Sequence, residues 1–426
     1  MMAAILFLSF VALVMLGVPI AFSLGLSSLI YILLNDISLT IVAQKMYAGI
    51  DSFVLVAIPG FMLAGNLMNQ GGMSDRLVKF ADSIVGFVRG GLAQVNVVVS
   101  MIFAGISGTA LADTASEGPI IIPAMVRQGY DPDFSAAITA ASSTMGPIIP
   151  PSTPMIITGT IVGISVTKLF VAGIIPGVLI GVLQMILCYY MAVKRNYPRG
   201  ELKPLNYIWA IFKEAVWAIL LTAFILFGIL GGVFTPTEAS IVAVLYGFVV
   251  GMFVYKEIKL KDIPRIVMES LRSTAAIMVL VGFANIFAWI LASEQIPQLI
   301  AKTILSISSN PVVVILLVNV LLLFVGMFME TIAAIVILFP VLFPVLTSIG
   351  MDPIQAGIMM ILNLIIGVIT PPVGVCLFVA ANIANISLVR ITKAIFPFIV
   401  ANIVVLMMVS FIPSLTLYLP RLILGH

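Results

Sequence analysis

Two stretches of this sequence combine residue types that a plain apolar helix does not use. One is Gly105-Ile106-Ser107-Gly108-Thr109-Ala110-Leu111-Ala112-Asp113-Thr114-Ala115-Ser116-Glu117-Gly118-Pro119, the other Gly146-Pro147-Ile148-Ile149-Pro150-Pro151-Ser152-Thr153-Pro154. Proline removes a backbone donor and clashes with the preceding turn, so 146–151 cannot continue a helix. In hydrocarbon the carbonyls freed there cost several kcal/mol each unless something pairs with them. Freed carbonyls with hydroxyls are hard oxygen donors, suited to Na+. The first stretch adds Ser107, Thr109 and the Gly105 and Gly108 carbonyls. A proline kink packed on neighbouring helices would explain one such stretch equally well.

The pattern recurs. Gly105 and Gly326 stand 221 residues apart, as do Pro123 and Pro344, Gly129 and Gly350, Asp131 and Asp352, and Pro132 and Pro353. Gly146 and Gly367, Pro150 and Pro371, Pro151 and Pro372, and Pro176 and Pro397 keep the same offset of 221, without a gap. Residues that control the backbone repeat, so chain geometry is what repeats. The second copy offers Gly326, Thr331 and the Thr370 hydroxyl beside Pro371-Pro372. Two copies in one register favour an ion site over a packed kink. Asp113, Glu117 and Glu330 lie in or beside the turns. A carboxylate at the bilayer centre costs about 2.5–3.5 kcal/mol on insertion scales, and these three either bind ions, order the loops or sit in water. The hydroxyls Thr114, Ser116, Ser152 and Thr153 are the candidates for a polar solute, and Ser116, Ser152, Thr153 and Pro372 are expected to face the space between the copies.

These residues sit in an apolar chain. Of 426 residues, 62% are hydrophobic and 9% charged, with mean hydropathy +1.27, so the class is a membrane protein. The net charge of +3 reads as loop bias and not as a nucleic-acid surface. The sole histidine is His426, which excludes a Ser-His-Asp triad, an internal histidine zinc site and a histidine relay. Cys188 and Cys376 lie in apolar runs and read as small buried hydrophobes.

A bilayer about 30 Å thick needs roughly 20 apolar residues per helix, which predicts on the order of ten spans, some short or broken. Residues 3–34 read as mature membrane helix broken at Pro19 and not as a signal peptide; 35–50 suit an interfacial segment. The span 52–69 is expected to break at Pro59-Gly60. Charges at helical spacing over 72–91 predict an amphipathic interfacial helix. The basic loops 194–213 and 256–272 place both in the cytoplasm, with two spans between them. The organisation is then a scaffold segment 1–50, repeat one 51–193, basic loops with two scaffold spans 194–270, repeat two 271–410 and a tail 411–426. If each repeat crosses an odd number of times, the two are inverted, as in many secondary transporters.

At these residues the sequence resembles the large membrane subunit of tripartite ATP-independent periplasmic (TRAP) transporters. Gly17-Val18-Pro19-Ile20-Ala21, residues 105–119 and 146–154, Gly231-Gly232-Val233-Phe234-Thr235-Pro236-Thr237-Glu238-Ala239 and Ile369-Thr370-Pro371-Pro372 carry the likeness. The resemblance implies an all-α polytopic membrane protein, an inverted-repeat elevator with re-entrant helical hairpins and broken helices, in a bacterial inner membrane. It implies Na+-driven uptake of an organic acid of the sialic acid or C4-dicarboxylate class. It further implies a periplasmic substrate-binding protein and a small four-helix membrane subunit, here a separate polypeptide. The family's two Na+ sites carry over to Gly105, Ser107, Gly108, Thr109, Gly146, Ile149 and Pro150, and to Gly326, Met329, Glu330, Thr331, Gly367, Thr370 and Pro371. Asp113 joins Thr114, Ser116, Ser152, Thr153 and Pro372 on the solute side. The alternative is a carboxylate carrier of the same architecture, coupled to Na+ or H+, that works alone. An intramembrane enzyme is disfavoured, since Gly105-Ile106-Ser107-Gly108 has no histidine to act as base.

Overall fold

In a bilayer the backbone must satisfy its own hydrogen bonds, and an apolar chain does so with helices. The computed structural model describes residues 2–308 and 310–425, with side chains at 2–4, 105–107, 301, 304, 305 and 307 outside the described set. Two proposed ligands, Gly105 and Ser107, fall in that set, and nothing is said of their contacts. In chain order the helices are α1 (Met2–Met15), α2 (Ile20–Leu34), α3 (Thr40–Ile50), α4 (Ala57–Gln70), α5 (Met73–Val85), α6 (Gly91–Ser107) and α7 (Ala110–Arg127). Next come α8 (Pro132–Ser142), α9 (Thr153–Val162), α10 (Val166–Lys194), α11 (Leu205–Leu230), α12 (Pro236–Val249) and α13 (Ile263–Ser293). The rest are α14 (Ile296–Ile307), α15 (Pro311–Gly326), α16 (Thr331–Ser348), α17 (Pro353–Gly367), α18 (Val375–Ala384), α19 (Leu388–Phe411) and α20 (Ser414–Leu424). Among the described residues, seven helical segments are long and apolar enough to cross a membrane; the short apolar helices fall mainly in the two hairpins and the two broken helices.

Proline acts as expected at Pro19, the N-cap of α2, with Gly17 in the left-handed region at φ 83°. Pro59 does not break its span. It is the third residue of α4, just after a 3-10 turn at Phe53–Val56 passes into α-helix, so its missing N–H falls where the hydrogen-bond pattern changes. The amphipathic helix is α5, with Met73, Leu77 and Ala81 buried against α6 and α11. The boundary expected at 270–271 lies inside α13, which runs unbroken from 263 to 293. The expected tail holds a helix, α20, packed on α10 and α17 with Leu417 and Pro420 buried.

The repeat is visible as structure. The helices α7 and α16 both span 18 residues and begin at 110 and 331, 221 apart. Gly129 and Gly350 share φ 90°, and Pro150-Pro151 and Pro371-Pro372 are both cis. The register is not ungapped, however. The pairs α9/α18 and α10/α19 start 222 apart, at 153/375 and 166/388, while Pro176 and Pro397 inside α10 and α19 are again 221 apart. The extra residue lies where Val373-Gly374 stands in place of Ser152. An irregular loop absorbs an insertion without losing a helical hydrogen bond.

Two groups of helices result. In the first, α13 packs on α2, α3 and α4, and α4 on α12. In the second, the hairpins α6–α7 and α15–α16 surround the broken helices α8–α9 and α17–α18, with α10 and α19 behind. Asparagines stitch each group together. Asn66 donates to Ser270 (2.7 Å), Asn285 to the Lys45 carbonyl (2.7 Å), Asn319 to Ser410 (3.0 Å) and Asn363 to Asn319 (2.7 Å). Bonds of this kind average about 0.6 kcal/mol within membranes. Asn385 differs: it caps α18 with φ 53°.

The loop after α10 ties together elements of the second group, the starts of α6 and α8. Arg195 contacts Asp131 at 2.8 Å, Tyr197 donates to Asp131 at 2.6 Å, and the Gly90 amide donates to the Pro198 carbonyl at 3.1 Å. The Tyr197 hydroxyl, and then Arg195, hold the Asp131 carboxyl below the usual carboxylate range.

Candidate functional site

Glycine and a side-chain cap build each hairpin tip. At the first, Gly108 ends α6 with φ 64°, and the Thr109 hydroxyl accepts from the Ala112 amide at 3.3 Å to start α7. At the second, 221 residues on, the Glu330 carboxylate accepts from the Ile332 and Ala333 amides at 2.9 and 3.1 Å to start α16. Glu330 thus orders its loop, one of the roles its position left open. An oxygen at a helix N-cap also sits at the positive end of the helix dipole.

The helix breaks face these tips. In the first break Ser152 donates to the Pro147 carbonyl (2.6 Å) and accepts from the Met155 amide (3.3 Å), so its hydroxyl is spent inside the break. The tip lies directly on it: a Cβ added at Gly108 would stand 3.0 Å from the Pro151 carbonyl oxygen and 3.2 Å from the Thr153 nitrogen. In the second break Thr370 donates to the Ile366 carbonyl at 2.7 Å, and the Cys376 amide donates back to the Val368 carbonyl at 3.1 Å. Here tip and break meet backbone to backbone, since a Cβ on Gly367 would fall 2.3 Å from the Gly326 carbonyl carbon. A hydroxyl that donates its proton keeps its lone pairs for a cation, so Thr370 remains able to ligate.

Each repeat also reaches across the other. The helix α9 packs on α16, and α18 packs on α7 and α8. Between the two tips and the two breaks lies a cavity of about 40 Å³. Thr109, Leu111 and Pro147 line it from the first repeat, with Glu330, Ile332 and Val368 at the positions 221 residues later. Its walls are therefore pseudo-symmetric. A space of this size holds water and is small for an organic acid.

The candidate residues separate. Thr109, Glu330 and Thr331, expected as ion ligands, line the shared cavity. None of the six solute candidates does. Asp113 and Thr114 are buried behind it, Thr114 within 2.6 Å of Ser143. The Asp113 carboxylate packs against Gly146, where an added Cβ would meet it at 2.1 Å. Ser116 faces α4 and accepts from Asn69 at 3.3 Å. Ser152 and Thr153 are buried within the first break, and Pro372 is exposed. Gly146, Ile149 and Pro150 lie in the first break, Met329 at the second tip and Pro371 in the second break. Pro147, Val368 and Cys376 line the cavity unforeseen. The offset pairs Pro147 with Val368, yet an apolar wall carries no chemical mark in sequence.

The chain matches the family described as "Tripartite ATP-independent periplasmic transporter, DctM component" over residues 7–415. It is 40% identical to the sialic acid TRAP transporter large permease protein SiaM of Vibrio cholerae, covering 96% of each chain. It is 41% identical to the C4-dicarboxylate TRAP transporter large permease protein DctM of Pseudomonas aeruginosa, covering 94% of each. Among solved structures, the YdaH transporter of Alcanivorax borkumensis is similar in fold, with a TM-score of 0.64 over 88% of this chain and 87% of that one at 17% identity.

Proposed function

The chain belongs to the DctM family of tripartite ATP-independent periplasmic transporters as a large permease, and from that premise we propose that it imports an organic acid by Na+-coupled elevator transport. The solute is of the sialic acid or C4-dicarboxylate class, the classes named for its relatives. A periplasmic binding protein delivers it, and a small membrane subunit completes the permease in the bacterial inner membrane. Two Na+ ions bind where a hairpin tip meets a helix break: one near Gly108, Thr109 and Gly146–Pro150, the other near Gly326–Thr331 and Gly367–Pro371.

The observation that carries this reading is the pseudo-symmetric cavity between the tips, with oxygen-bearing residues at matched positions. Each Na+ moving down 100 mV supplies about 2.3 kcal/mol. The charge of a monoanionic acid cancels one of two, leaving about 2.3 kcal/mol or roughly a fiftyfold gradient, and a dicarboxylate dianion draws on the Na+ concentration gradient alone. The hairpins and broken helices form the moving body, and the group around α13 the scaffold.

The test is uptake of radiolabelled sialic acid and C4-dicarboxylates into proteoliposomes holding both membrane subunits, with binding protein added. Uptake is expected with Na+ outside and is lost when K+ replaces it or when the binding protein is left out. Equal rates in Na+ and K+ would remove the coupling; undiminished uptake without the binding protein would favour the carrier that works alone.

A further inference from the structure

Behind the first hairpin tip lies a buried polar cluster that the ion and solute sites do not use. Glu117 on α7 is 1% exposed. Its Oε2 stands 2.6 Å from Ser100 Oγ on α6, Ser100 Oγ stands 2.9 Å from Ser142 Oγ on α8, and Ser142 Oγ stands 3.0 Å from Asn96 Oδ1. The amide orientation of Asn96 is set by its nitrogen, which donates to Thr139 Oγ1 at 2.6 Å and approaches Met125 Sδ at 3.8 Å. Thr139 in turn donates to the Ser135 carbonyl at 2.9 Å.

Counting protons along this chain gives an answer. Three contacts join four oxygens, and each contact needs one hydrogen between its two oxygens. Ser100 and Ser142 bring one hydroxyl hydrogen each, and Asn96 Oδ1 brings none. Ser142 has one hydrogen for two acceptors, Asn96 Oδ1 at 3.0 Å and the Thr139 carbonyl at 3.2 Å, and gives it to the nearer; Ser100 gives its own to Ser142. The shortest contact, Glu117 to Ser100, is left without one unless Glu117 brings it. The other carboxyl oxygen, Oε1, is buried and has no hydrogen-bond partner. A neutral carbonyl oxygen tolerates that position far better than a carboxylate oxygen does.

No basic group offsets a negative charge here. The helix α7 packs against α6, α8, α18 and the turn 143–145. The only titratable groups these elements hold among the described residues are Cys376 on α18 and Asp133 at the far end of α8. On α7 itself the titratable groups are Asp113, one turn away, and Arg127, ten residues and about 15 Å along the axis. Nor does the hairpin architecture require the cluster. At the offset of 221, Ser100 and Glu117 correspond to Leu321 and Leu338, and α15 and α16 form the same hairpin with them.

We propose that Glu117 is a proton-binding site of the first hairpin: its carboxyl group is neutral and donates to Ser100 Oγ, tying α7 through α6 to α8. The site stands on its own geometry and does not depend on Na+ coupling. Infrared spectra of the full chain in nanodiscs at neutral pH test it. The wild type is expected to show a carboxylic-acid carbonyl stretch that is lost in Glu117→Gln, which keeps a neutral donor. Saturating NaCl should leave the band in place. Ser100→Ala should shift it to higher frequency, and that readout stands even if Glu117→Gln does not fold. The assignment is overturned if Glu117→Gln removes no such band, if NaCl abolishes the band, or if Ser100→Ala leaves it unmoved.

Discussion

Glycine at 326 and at 367 lets two stretches of main chain touch where the second hairpin tip meets the second break. A Cβ on Gly367 would lie 2.3–2.5 Å from the carbonyl carbon, Cα and carbonyl oxygen of Gly326. Backbone cannot swing aside as a side chain can, and overpacking costs about 1–3 kcal/mol, occasionally more. Gly367→Ala should therefore lower the Tm of the purified protein and abolish uptake. Gly146→Ala meets the Asp113 side chain instead and should be milder in Tm. Equal, wild-type Tm values for both would mean that the tip–break contact is loose. These glycines were legible from the sequence because their spacing repeats. The solute candidates were less so. Ser116 and Ser152 are hydroxyls in the right segments, but one turns to Asn69 and the other caps its own break. Side-chain direction depends on helix phase, which an irregular loop resets.

At the scale of elements, the hairpins and broken helices could be read from the sequence because proline and glycine act locally on the backbone. The misjudged elements share a cause: their boundaries depend on packing or on position within a helix. Pro59 sits just after a 3-10 turn passes into α-helix, so its missing N–H falls where the hydrogen-bond pattern changes. The α20 helix follows Pro413 and is held by α10 and α17. The one-residue slip to an offset of 222 is hidden in a loop whose residues make no pattern. Contact between α4 and the first hairpin is direct at Asn69 and Ser116, 3.3 Å apart. If α4 belongs to the scaffold and α7 to the moving body, that contact must break in each cycle. Asn69→Cys combined with Ser116→Cys should then be arrested by a mercuric bridge and recover on adding excess thiol, while each single variant stays active. Full activity of the bridged double variant would place α4 and α7 in one rigid unit.

At the scale of the molecule, two copies of one geometry meet around a single small cavity, and neither copy closes it alone. Thr109 and Glu330 occupy matched positions at the two tips, yet one is a hydroxyl and the other a carboxylate. The symmetry is in the backbone, while the chemistry differs between the halves, as Glu117 opposite Leu338 shows again. The proposed transport with two Na+ ions implies a fixed ratio of ions to solute. The most direct measurement is the paired flux of radiolabelled Na+ and radiolabelled solute into the same proteoliposomes under zero membrane potential. Two Na+ ions per solute are expected, falling toward one in Thr370→Val. Solute entry with no accompanying Na+ would contradict the two-site mechanism.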